Sequence, residues 1–151
     1  MKPPPIEEIL PHRHGMLLVE RIVSWDAARA TVSASPSAAG WYAEAGGMPS
    51  RIGIELMAQA IAAHASLAGR LRGLPPKRGV LLGARAFRSR VAAVPAGTRL
   101  LVGARLALAD ESGFSSFDCT ITDSGSRELA SATLKVYAPA DFEAFMKEQA
   151  R

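Results

Sequence analysis

The sequence predicts an α+β fold, a curved and mostly antiparallel sheet wrapped around one long central helix. Three observations carry this reading. A single long apolar run, Ile52–Gly69, separates two strand candidates from four more. Short turns join most of those candidates, which favours antiparallel pairing. The long run is apolar nearly all round, so other elements must cover it, and a curved sheet can do so. At 151 residues, with 48% hydrophobic and 21% charged residues, the chain fits one domain, residues 1–151. Such a length buries a core without disulfides or metals.

The elements follow in order. "IEEILP" predicts a short helix ended by Pro11. "MLLVERIVSW", Met16–Trp25, reads as a mostly buried strand. "RATVSAS" alternates, with Ala30, Val32 and Ala34 on one face and Thr31, Ser33 and Ser35 on the other. Asp26–Ala28 is the turn between them. Pro49-Ser50 starts the central helix, with Ser50 able to cap free N–H groups. That helix runs to about Leu71 and stops before the loop "GLPPKRG". The second half reads as strands: "GVLLGARAFRSR", "TRLLVGARLAL" after the turn "VPAG", "FSSFDCTITD" and "RELASATLKVY". A short helix over 141–150 closes the chain.

Composition narrows the function. The formal net charge is +4, which suits nucleic acid or an acidic protein partner. Scattered basic residues, 6% aromatics and no recognition motif argue against nucleic acid. The lone cysteine, Cys119, excludes an internal disulfide framework and fits a reducing, cytoplasmic setting. The opening "MKPPPIEEILPHRHG" lacks the apolar core of a secretory signal. The central run reaches transmembrane length, but Glu55, Gln59, His64 and Ser66 make it a buried helix of a soluble domain.

Glu55 is the only formal charge in the apolar run that follows Arg51. At 100° per residue, Gln59 lies about 40° from it and Ile52 about 60°, whereas His64 lies about 180° away. Glu55 reads either as a first-turn carboxylate complementing the helix dipole or as a desolvated general acid or base. Gln59 reads either as a satisfied core amide or as the residue that orients Glu55.

The chain resembles the hotdog-fold 3-hydroxyacyl-[acyl-carrier-protein] dehydratases. "LPHRHGMLLVERI", "GMPSRIGIELMAQA" and "LLGARAFRSRVAAVPAGTRL" carry the likeness, which covers about residues 9–138. The variant "GMPSRIGIELMAQAIAA" is similar to the ApeP-like, aryl-polyene-associated group. The resemblance implies a loop histidine that removes the α-proton of a 3-hydroxyacyl thioester. It also implies an acid on the central helix of the other subunit that helps expel water, and a helix-start N–H that holds the thioester carbonyl. The acyl chain is implied to lie in a tunnel beside the helix. Glu55 matches the acid and Ser50 the residue whose N–H holds the carbonyl. Fourteen residues before Glu55, Trp41 stands where the family has its histidine, "GWYAE" for "GHFPG". Indole nitrogen only donates and cannot act as the base.

On this reading Glu55 is the catalytic candidate, and Trp41, Ser50 and Gln59 are candidates for substrate binding. Arg85, Arg88 and Arg90 fall where relatives are basic, and could steer an acidic acyl carrier protein or simply form a solvated strand edge. His12 and His14 are weighed as replacements for the missing base, with loop and turn packing the favoured reading, and Glu44 is a loop carboxylate that would need desolvation to act as a base. No cofactor or metal is expected. The expected function is a dehydratase-like protein of fatty-acid or polyene lipid synthesis, acting on acyl thioesters as a homodimer or with a dehydratase homologue. The alternatives are a thioesterase using Glu55 and a non-catalytic acyl-binding subunit.

Overall fold

The computed structural model describes residues 2–74 and 79–150. Among them the strands are β1 Arg21–Trp25, β2 Arg29–Ala34, β3 Gly47–Pro49, β4 Val80–Ser89, β5 Ala93–Pro95, β6 Leu100–Ala109, β7 Phe114–Asp123 and β8 Glu128–Tyr137. The helices are α1 Ile6–Ile9, α2 Gly53–Leu71 and α3 Phe142–Gln149. The expected loop "GLPPKRG" centres on 75–78, outside the described residues.

Six strands form one sheet in the order β1-β2-β6-β7-β8-β4, antiparallel at every junction. Alternation sets its two faces. Ala30, Val32, Val102, Ala104, Phe117, Cys119, Ile121, Ala132 and Leu134 point inward and are buried. Helix α2 lies against this inner face, touching β2, β6, β7 and β8. Leu56, Met57, Ala60, Ile61, Ala63 and Leu67 bury its apolar surface there. Gly53 lets the helix start approach β7, because a Cβ would stand 3.0 Å from Ile121 Cδ1. This is the hotdog arrangement that the resemblance implies. The stretch Ser50–Leu71 is long and apolar enough to cross a membrane, but 61% of its apolar window is buried inside the protein.

The turns use the chemistry expected of them. Asp26 Oδ1 accepts from the Ala28 and Arg29 amides at 2.7 and 2.9 Å. Asp110 and Asp123 hold the next two hairpins in the same way, through Ser112 and Gly125. Asp141 caps α3 by accepting from the Ala144 amide at 3.0 Å.

Three expectations need correction. The strand predicted over Met16–Trp25 begins only at Arg21. Residues 14–16 form a 3-10 turn, and the Leu18 and Val19 amides bind the Gln59 side chain instead of a neighbouring strand. Ser50 does not cap with its side chain; residues Ser50–Ile52 form a 3-10 turn that runs into α2. A second, two-stranded sheet, β3 with β5, was not anticipated. It positions the helix start, since Gly47 packs so closely that a Cβ would meet Val94 O at 2.7 Å.

A candidate active site at the start of the central helix

The site is organised by Gln59, whose side chain is fully buried. Its Oε1 accepts from the Leu18 and Val19 amides at 3.0 and 3.3 Å. Its Nε2 donates to Met16 O at 2.7 Å and to Glu55 Oε1 at 3.1 Å. A carboxamide has two N–H donors and two acceptor lone pairs, so all four are committed. Both readings of Gln59 as a fixed amide therefore hold together: it pins the opening segment to α2 and it orients Glu55. No donor or acceptor of Gln59 is left for a polar contact with a substrate.

Glu55 lies in the first turn of α2 with its side chain 37% exposed. It is neither enclosed in the single chain nor free in solvent. Opposite it stands His12, with Nε2 4.0 Å from Glu55 Oε1. His12 Nδ1 is buried and has no hydrogen-bond partner among the described residues. His14 is exposed and takes a positive φ of 56°. His64, expected on the opposite side of the helix, is buried there with Nε2 3.0 Å from Ala27 O and its ring against Phe117.

Trp41 is 58% exposed, and its Nε1 donates to Gly15 O at 2.8 Å. Gly15 permits this approach, since a Cβ would stand 3.3 Å from Trp41 Cδ1. The indole therefore braces the turn that follows His12. Trp41→Phe is expected to cost about 0.5–1.5 kcal/mol in urea unfolding, the usual worth of one hydrogen bond. Ser50 also departs from expectation. Its amide donates to Ala92 O at 3.0 Å, which occupies the N–H expected to hold a thioester carbonyl. Glu44 is exposed and paired with Arg51 at 2.7 Å, a solvated pair rather than a desolvated base.

Arg85 and Arg88 face Thr133 and Ser131 across β4–β8, which puts both arginines on the outer face of the sheet, away from α2. A bulge at Ala86, with φ 53°, lets Phe87 turn inward between them. Arg90 follows the strand end, its amide bound to Leu129 O. All three side chains are exposed, and the single chain does not bring them to Glu55. The outer-face depression of about 500 Å³ lined by Arg29, Thr31, Arg105, Asp118 and Thr120 does not include Glu55 either. Cys119 is no alternative nucleophile: burial, then the Asp118 charge, pushes its thiol up to about 12. No cluster of three or more potential metal ligands occurs among the described residues.

A family model described as ApeP-like, ApeP dehydratase, matches residues 4–147. The chain belongs to the ApeP-like family. No curated protein matches it in sequence. Among solved structures, this ApeP-like chain is similar to the dehydratase heterocomplex ApeI:P from Xenorhabdus doucetiae. There the identity is 29% and the TM-score 0.87, over 96% of this chain and 97% of that one. It also shares its fold with a hypothetical thioesterase protein with coenzyme A from Streptococcus pneumoniae TIGR4. That match has 14% identity and a TM-score of 0.62, over 78% and 84% of the two chains. The E. coli PaaI protein from the phenylacetic acid degradation operon matches at 17% identity and a TM-score of 0.61, over 78% of each chain.

Proposed function

We propose that this ApeP-like chain removes water from 3-hydroxyacyl thioesters held on an acyl carrier protein, in fatty-acid or polyene lipid synthesis in the cytoplasm. One observation carries the reading: Gln59 holds Glu55 at 3.1 Å in a fixed place on the helix, facing His12. A carboxylate that served only the helix dipole would need no such buried anchor. The test mixes the pure protein with 3-hydroxyacyl carrier protein and follows the enoyl product. Equal, null activity from wild type and Glu55→Gln would sink the proposal. Release of free thiol instead would favour a thioesterase.

The protein is proposed to work as a dimer, either with itself or with a dehydratase homologue. The likeness to one member of a dehydratase heterocomplex supports the second arrangement. The assay is therefore run with and without a co-expressed homologue. Activity in the mixture that is indifferent to Glu55→Gln would make this chain an acyl-binding subunit.

Arg85, Arg88 and Arg90 are proposed to attract the acidic carrier. Their side chains make no ion pair among the described residues, and the chain carries net charge +4. Charge reversal of Arg85 and Arg88 to Glu is expected to lower kcat/KM about tenfold or more at low salt, through the association rate. The loss should shrink at high salt. An unchanged kcat/KM at low salt would leave the arginines as a solvated edge.

A further inference from the structure

We infer that Glu55 carries the transferred proton by itself and that His12 acts as a neutral hydrogen-bond donor, within one chain. This rests on the dehydratase reading and specifies how the site works with Trp41 in place of the family's histidine.

The argument begins with the ring nitrogens of His12. Nδ1 is buried and unbonded. A proton there would be a buried N–H without an acceptor, which costs more than an unused lone pair. The ring is therefore held with its proton on Nε2. That nitrogen is the one facing Glu55. An Nε2–H can donate but cannot take a proton, and a second proton would have to go to the buried Nδ1. His12 thus replaces a base poorly and serves as a donor well.

Glu55 has the complementary arrangement. Oε1 is held by Gln59, while Oε2 has no hydrogen-bond partner among the described residues. The separation from Nε2 to Oε1 is 4.0 Å, too long for a direct hydrogen bond. An oxygen about 2.8 Å from each atom fits that gap, as the hydrogen-bond distances require. A substrate 3-hydroxyl is such an oxygen.

The step balances without any further reactant. The Cα–H bond breaks and its proton passes to Glu55 Oε2. The Cα electron pair forms the C=C bond as the C3–O bond breaks. Charge on the departing oxygen is steadied by His12 Nε2–H, and the proton on Glu55 passes to it, releasing water. The carboxylate is regenerated, and nothing is oxidised or reduced. Trp41, through its bond to Gly15 O, braces the turn following His12, and is a positioning residue.

The test separates donor from base. His12→Leu is expected to lower kcat about 10²-fold. His12→Gln places an amide N–H near the Nε2 position and should recover activity to within about tenfold of wild type. A base cannot be replaced in this way, so His12→Gln as inactive as His12→Leu overturns the assignment. Circular dichroism and thermal melts establish that each variant is folded. A second measurement uses a saturated acyl thioester without the 3-hydroxyl in deuterated water. Solvent exchange at Cα should persist in His12→Gln and vanish in Glu55→Gln. Exchange lost in His12→Gln but kept in Glu55→Gln overturns the inference. Exchange by wild type without any enoyl product refutes the dehydratase reading while supporting Glu55 as the proton carrier. Neither exchange nor enoyl product overturns both.

Discussion

Glu55→Gln is expected to lower kcat for enoyl formation by about 10²–10⁴-fold, the range lost with a general acid–base group. The same protein should unfold within about 0.5 kcal/mol of wild type, as surface-type substitutions do. Both halves follow from the geometry. The carboxylate is 37% exposed, so little burial depends on its charge. The substituted amide keeps a carbonyl oxygen for Gln59 Nε2 to bind, so the anchor survives. What disappears is the ability to accept a proton. Steady-state kinetics beside a urea titration would measure both. A variant that loses activity only in proportion to lost folded protein would contradict a chemical role.

Gln59→Leu should behave in the opposite way. Leu is close in size and apolar, so packing in the core changes little. Yet the buried Val19 amide and the part-buried Leu18 amide and Met16 carbonyl would lose their partner. The expected destabilisation is about 2–5 kcal/mol, from one buried and two part-buried unsatisfied groups at about 1–3 kcal/mol each, with partial relaxation and rehydration. For a chain of this length that lowers Tm on the order of 10 °C. Activity should fall as well, because Glu55 and the segment bearing His12 are tethered by the same amide. Full stability in Gln59→Leu would mean that the four hydrogen bonds matter less than their burial implies.

Most of the fold was legible because its strands are half-buried and alternate. Ala30, Val32, Phe117, Cys119, Ile121 and Leu134 announce the inner face directly. The Glu55–Gln59 bond was legible for a similar reason, since helical spacing alone puts the two on one face. The failures have a different origin. Leu18 and Val19 are apolar like a strand, but the partner of their amides is a side chain 40 or more residues later in sequence. No local pattern encodes that. The pairing of β3 with β5 involves runs of three residues, too short to show a period. The approach of His12 to Glu55 was not legible because it is a contact between two separate segments. The signal available was indirect: a carboxamide one helical turn from an acid.

The saturated amide of Gln59 also makes the site report on itself. The Leu18 and Val19 amides are guarded by a side chain rather than by a strand ladder, so they exchange with solvent when Gln59 lets go. Those same openings are the ones that release Glu55. Deuterium uptake at two backbone positions therefore gauges, without substrate, how much of the population has the corner around Glu55 assembled. Comparing that uptake in the protein alone and with a companion subunit would reveal whether assembly is intrinsic to this chain or is completed by company.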